Sequence, residues 1–330
     1  MSDPQHACAR PAPLDLANLR LKSRTQREHK VAIAALGRPT EPGCSFSQWL
    51  AAMPDFLGAA QLRQVVAAII TARRAGRPVV FAFGGHLIKT GCAPLVIDLM
   101  QRGIITALAT NGSGAIHDLE LAETGATSEE VADTIRDGSF GMVRETCARM
   151  TAAAARGATG IGLGRALGEL LNTPDVPYRD LSLFATAARL DIPATVHVAV
   201  GTDTVHVDPQ LDGAALGAAT LADFRLLCAV VADLGAATAG QPGGVWLNVG
   251  SAVVMPEVFL KAVSVARNLG HPLAGMHTAN LDMLSHYRPV QNVLTRPVER
   301  GFGHALIGQH EILVPLLRQA IVEQLQAGAD

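Results

Sequence analysis

The sequence predicts an α/β fold: a doubly wound, mostly parallel sheet with helices on both faces. Three observations predict it. Short apolar runs alternate with longer segments whose apolar residues recur at helical spacing, the pattern of strands joined by crossover helices. Glycine-rich turns follow two of these runs. They are Gly84-Gly85-His86-Leu87-Ile88-Lys89-Thr90-Gly91 and Thr110-Asn111-Gly112-Ser113-Gly114-Ala115-Ile116-His117-Asp118. Finally, the polar segments 84–91, 110–120, 201–208, 250–257 and 277–287 each fall just after a strand-like run. Open α/β sheets bind ligands at that end of their strands.

Residues 1–44 read as an N-terminal extension. Residues 2–13 have the composition of a disordered segment, and 37–44 form a Pro/Gly connector. Between them, 14–36 carries Arg20, Lys22, Arg24, Arg27 and Lys30 and reads as a helical arm or a solvated extension. Residues 45–330 read as one α/β domain without an internal linker or repeat. Residues 61–74 form an amphipathic helix stopped by Gly76 and Pro78, and strand 79–83 follows. Helix 94–102 ends at Gly103, a residue free to adopt the left-handed cap, and strand 104–109 comes next. Helices are predicted at 116–123 and 128–137, the second opened by Thr127-Ser128-Glu129-Glu130, an N-terminal signal. Helices at 142–155, 164–171 and 182–190 precede strand 194–200. Helix 216–234 leads to strand 244–249, helix 256–269 to strand 273–278, and helix 307–325 closes the chain.

Composition narrows the function. The net charge of −2 gives no argument for a nucleic-acid or membrane surface. No apolar run reaches the ~18 residues of a membrane span, and the first residues lack the apolar core of a signal peptide. Five widely spaced cysteines without a CxxC pair argue against a disulfide framework or structural zinc, and fit a reducing cytoplasm. Only 17% of residues are charged, while Ala and Gly are abundant. That suits either a tightly packed homo-oligomer, a tetramer or dimer of dimers, or simple alanine enrichment.

Backbone N–H groups of the glycine-rich turns, Gly84 and Gly85 among them, can approach a phosphate-bearing ligand. The same turns hold His86, Lys89, His117, Asp118 and Glu120. Lys89 is the one lysine within them, the candidate for imine chemistry or phosphate binding. Gly162-Leu163-Gly164-Arg165-Ala166-Leu167-Gly168 has GxGxxxG spacing and follows no strand, so it reads as a helix–helix junction. The loop Gly201-Thr202-Asp203-Thr204-Val205-His206-Val207-Asp208 can hold a ribose hydroxyl or a substrate ammonium, or can be a plain turn. A metal site of His197, His206 and Asp208 has no diagnostic spacing, and no metal is predicted. His277, Asn280, Asp282, His286 and Tyr287 crowd the end of the last predicted strand, with His304, His310 and Glu311 nearby. Histidine is the side chain most easily poised for proton transfer near neutral pH.

At these residues the chain resembles the deoxyhypusine synthase family, in a divergent bacterial branch, over roughly residues 55 to 315. The anchors are Gly85 to Gly91, Thr110 to Gly114 with Asp118, Ile192-Pro193-Ala194 leading to Thr202-Asp203, and Val245-Trp246-Leu247-Asn248-Val249-Gly250-Ser251. The resemblance implies a Rossmann-like fold, NAD as cofactor and a tetramer with sites at subunit interfaces. It places His86, Thr90 and Gly91 along the NAD phosphates, and Thr110, Asn111, Gly112, Ser113 and Gly114 facing the cofactor. Asp203, beside Thr202, would contact cofactor or substrate.

Departures from the family redirect the chemistry. Its imine-forming lysine follows the turn matching Val249-Gly250-Ser251, where this chain reads Ser251-Ala252-Val253-Val254-Met255-Pro256. Its paired glutamates become Ile116-His117-Asp118, and Arg296, Arg300, His304 and His310 replace its amine-binding segment. The replacements suit an anionic or neutral polar small molecule. The resulting expectation is an NAD-dependent enzyme that oxidises a C–N or C–O carbon of a small metabolite. His117 or His277 would be the base, and Asp118 or Asp203 would orient it or bind substrate. Glu120, His206, Asp208, Asn248, Ser251, His286, His304 and His310 would contact substrate. The alternatives are a polyamine aminobutyl transferase using Lys89 and a non-catalytic NAD-binding protein.

Overall fold

Six parallel strands pair in the order β3-β2-β1-β4-β5-β6. They are β1 Val79–Phe83, β2 Ala107–Asn111, β3 Ala194–His197, β4 Val245–Val249, β5 His277–Asp282 and β6 Gly303–Ile307. The chain winds outward from β1 to β3. It then crosses back to lay β4 on the other side of β1. That reversal creates a switch point between β1 and β4, where a doubly wound sheet opens a crevice. The computed structural model describes residues 11–236 and 240–327. Residues 1–36 and 37–330 form two separate units.

In the first unit the described residues hold only two 3-10 turns, Arg24–Gln26 and Ile33–Ala35. The helical arm is not formed there. Ser23 caps the first turn through its side chain, which fixes a turn rather than a helix interior. Residues 2–10 of the segment expected to be disordered lie outside the described residues.

In the second unit helices cover both sheet faces. On one face lie α2 (Leu57–Arg74), α4 (Ala93–Gln101), α5 (Gly112–Thr124), α7 (Arg144–Gly157), α8 (Leu163–Leu171), α9 (Leu183–Leu190) and α13 (His310–Ala327). With Phe81, Phe83, Leu108, Leu247 and Leu281 they build the larger core. On the other face, α10 (Gly213–Ala232) and α11 (Val254–Asn268) cover Val80, Ala82, Ala109 and Trp246. Trp246 stacks on Phe259 with ring centroids 4.1 Å apart. Every residue of β1 and β4 is buried, as expected of parallel strands covered on both sides. Helix α10 is long and apolar enough to cross a membrane by length and composition, with mean hydropathy 1.7. Its Asp223 is nonetheless bonded to α8 and β3 within the fold.

Several boundaries differ from expectation. β2 begins at Ala107, because Thr106 closes a local bridge to Val79. β5 begins at His277, because Leu273 and Gly275 adopt positive φ (58° and 70°) and break the expected strand 273–278. Positive φ at 128 (72°) shortens the expected helix 128–137 to α6, Val131–Thr134. The sequence also hides α1 (Phe46–Ala52), which Ser45 and Gln48 open with a capping box. Short helix α3 (His86–Lys89), α12 (Tyr287–Pro289), a π-helical turn at Val290–Thr295 and β6 complete the unit.

Candidate functional site

The switch point is closed by backbone. A Cβ on Gly84 would lie 2.3 Å from the carbonyl oxygen of Gly250, so the loops after β1 and β4 can touch only without a side chain there. Gly85 faces α5, and a Cβ on it would meet Ser113 Oγ at 2.4 Å and His117 Cδ2 at 2.8 Å. Gly112 is covered by Asp203, whose Oδ2 would lie 2.0 Å from an added Cβ. These glycines therefore bring protein segments together. What the loop does offer is donors. Among the described residues, the N–H groups of Gly85 and His86 have no acceptor.

Beyond β2 and β3 lies the Asp203 loop. Asn111 caps α5 through Gly114 N–H, and Thr110 Oγ1 donates to the Phe83 carbonyl beneath Gly114. Thr110 and Asn111 thus hold the frame. His206 Nδ1 accepts the N–H groups of Gly201 and Asp203 at 3.1 and 3.3 Å. The neutral ring then carries its proton on Nε2. That N–H stands 3.7 Å from Asp203 Oδ2, too far for a hydrogen bond. Both atoms are buried without a partner among the described residues. Burial pushes the Asp203 carboxyl up, against the opposing pull of His206. Thr202 is exposed, its hydroxyl bonded to Ala199. Asp208 points away from this pair, accepting from Thr151 and Gln210, so it ties the loop to α7.

On α5, His117 belongs to a directed chain. Its Nδ1 lies 2.7 Å from Thr127 Oγ1. Thr127 donates at 2.6 Å to Glu120 Oε2, and Thr146 donates to Glu120 Oε1 at 3.1 Å. Burial lowers the His117 pKa, the nearby Lys89 charge lowers it further, and Glu120 opposes both. Lys89 itself is exposed, which leaves its amine without the apolar pocket that activates an imine-forming lysine.

Asp118 does not orient His117. It is fully buried and turned the other way, accepting from Ser182 Oγ at 2.5 Å, Leu183 N–H at 2.7 Å and Phe184 N–H at 3.2 Å. It caps α9, and burial pushes its carboxyl up to about 6. His277 and His304 also leave the site. His277 is the first residue of β5 and His304 the second of β6, at the opposite end of the strands. There His304 Nδ1 meets Gln61 at 3.1 Å and His304 Nε2 meets His277 Nδ1 at 3.2 Å. Burial drives His304 down to about 4. His277 is therefore not positioned as the base for a crevice ligand. Thr90 bonds back to His86 and Leu87, and Gly91 (φ 74°) turns α3 into α4. His286 precedes α12, half-buried.

On the β4–β6 side, Ser251 Oγ accepts Met255 N–H and so opens α11 where the resembled family would carry its lysine. Asn248 Nδ2 donates to Ser251 O and Asn280 Oδ1, which leaves Asn248 Oδ1 buried without a partner. His310 Nε2 lies 3.2 Å from the Leu281 carbonyl, so its Nδ1 holds the lone pair, also buried and unpartnered. The His310 ring packs on Gly250 and meets His86 edge-on at 5.3 Å.

Two structural roles escaped the sequence reading, those of Asp223 and Thr127. Asp223 reaches from α10 to accept Gly164 and Val196 N–H, and burial pushes it up to about 7. The glycines at 162 and 164 are indeed at a helix junction: the Gly162 N–H donates to the Gly157 carbonyl and the Gly164 N–H to this carboxylate. Thr127 was read only as part of a helix start. The i,i+3 spacing of His117 and Glu120 was the available signal for their shared face.

No protein-family profile matches the chain, and no curated protein matches it in sequence. Solved structures match it in shape. Unliganded AgrE gives a TM-score of 0.52 at 16% identity, over 80% of this chain and 32% of that one. A conserved LOR/SDH-type protein from Methanococcus maripaludis S2 gives 0.50 at 13% identity, over 82% of this chain and 71% of that one. A protein from Entamoeba histolytica described as a deoxyhypusine synthase gives 0.46 at 12% identity, over 87% and 96%. The chain spans 34% of the cyanobacterial arginine dihydrolase ArgZ and 32% of AgrE. The first two likenesses agree with the α/β, Rossmann-like fold built above.

Proposed function

We propose that the chain is an NAD-dependent enzyme that oxidises a carbon bearing nitrogen or oxygen in a small metabolite. One observation carries this reading. Six buried side-chain polar atoms lack a partner among the described residues, and four of them line the carboxyl edge of the sheet. They are Asp203 Oδ2, His206 Nε2, Asn248 Oδ1 and His310 Nδ1. Leaving a buried polar group unpaired costs about 1–3 kcal/mol, so such a row calls for a polar ligand.

The residues fit NAD. A ribose hydroxyl both accepts and donates, and the His206 N–H and Asp203 Oδ2, 3.7 Å apart, present one donor and one acceptor to it. The unpaired N–H groups of Gly85 and His86 at the switch point suit phosphate oxygens. When bound, NAD supplies the hydride acceptor. His117 Nε2 takes the proton that leaves the substrate hydroxyl or ammonium. Its lowered pKa keeps the ring neutral and ready to accept. Native mass spectrometry of the protein purified without added ligand tests the reading. Retained NAD, or NAD taken up on addition, supports it; a chain that takes up none overturns it. The same spectra read the homo-oligomer we also propose, for which α10 leaves Leu221 and Leu226 exposed.

A further inference from the structure

The hydrogen bonds around His117 run in one direction only. A carboxylate has no proton to give, so the Thr127 hydroxyl must donate to Glu120. Its oxygen is then an acceptor toward the imidazole, 2.7 Å away. His117 must supply the proton of that contact from Nδ1. Nε2 is left with the lone pair, and among the described residues no hydrogen bond occupies it. Thr146 fixes the other carboxylate oxygen, so Glu120 cannot swing away without losing a second bond. The direct His117–Glu120 separation of 3.9 Å is too long for a hydrogen bond.

We propose that Glu120 is a positioning residue, which acts through the Thr127 hydroxyl to hold His117 as the Nδ1–H tautomer and aim Nε2 as the base. Both groups come from α5 and the turn that follows it, so the relay is set by local geometry. The inference deepens the reading of His117 as base and rests on it. Its test is independent of NAD and of any substrate.

Nitrogen-15 NMR of the full chain, with the His117 signal assigned by its loss in His117→Gln, reads the tautomer directly. The wild type is expected to carry the proton on Nδ1. Thr127→Ser keeps the hydroxyl and should keep that tautomer. Thr127→Val removes it and should shift His117 toward Nε2–H. Glu120→Leu removes the acceptor, frees the Thr127 proton to turn toward Nδ1, and should also move the ring proton to Nε2. Glu120→Leu further removes a charge that favours imidazolium, so the His117 titration midpoint should fall. A wild-type ring protonated on Nε2 overturns the proposal, and so does a Glu120→Leu protein that keeps Nδ1–H. If Thr127→Val does not fold, Glu120→Leu alone decides. Failure of NAD to bind would sink the proposed function while leaving these signals unchanged.

Discussion

The α-carbon of Gly84 faces the Gly250 carbonyl so closely that a Cβ would stand 2.3 Å from the oxygen. One contact thus sets the width of the crevice between β1 and β4. Gly84→Ala must push the two loops apart. Overpacking of this kind costs about 1–3 kcal/mol. Denaturant unfolding should show that loss.

Asp118 is a structural carboxylate. Asp118→Ala strips α9 of three hydrogen bonds, two of them to its first N–H groups. A loss of about 2–4 kcal/mol is expected, combining a lost cap with donors left unpaired. Thermal unfolding checks it. His117→Ala removes no cap and should unfold near the wild-type temperature.

The two histidine neighbours show what the sequence can and cannot reveal. Helical spacing puts His117 and Glu120 on one face and turns Asp118 away, a signal that the assignment of Asp118 to orient His117 passed over. The tertiary partners were not legible: Asp118 meets Ser182, 64 positions along the chain. The doubly wound sheet was legible because β1 and β4 are unbroken apolar runs apart from Asn248. β5 was misplaced because it is polar where buried. Its Thr278 is satisfied by the Val293 carbonyl and its Asn280 by Asn248, so hydrogen bonds replace apolar burial. That shift carried His277 from the crevice to the opposite end of the strands. Asp223 was hidden because α10 is apolar nearly all round, which leaves its inward face undefined by pattern.

Asp223 predicts a pH dependence of stability. Its folded pKa is raised to about 7 from the ordinary 3.8. Between those values the folded state binds more protons than the unfolded state, so stability falls as pH rises. Asp118, raised to about 6, adds the same sign over a narrower window. Asp223→Asn can keep an oxygen toward Gly164 and Val196 and removes the titrating group. The melting temperature of the wild type should drop more steeply from pH 5 to pH 7 than that of Asp223→Asn.

Lys89 acts on His117 by charge rather than by covalency. Lys89→Met should raise the His117 pKa, because the Lys89 charge lowers it. Proton NMR titration reads the shift, and an unchanged midpoint would remove Lys89 from the site's electrostatics.

Calorimetric titration of the protein with NAD, beside Asp203→Ala, tests the central claim most directly. We predict saturable binding by the wild type. The variant loses an acceptor for a ribose hydroxyl and should bind at least about tenfold more weakly, ~1.4 kcal/mol. No binding at millimolar NAD, or equal affinity in the variant, would contradict the assignment of this crevice to the cofactor.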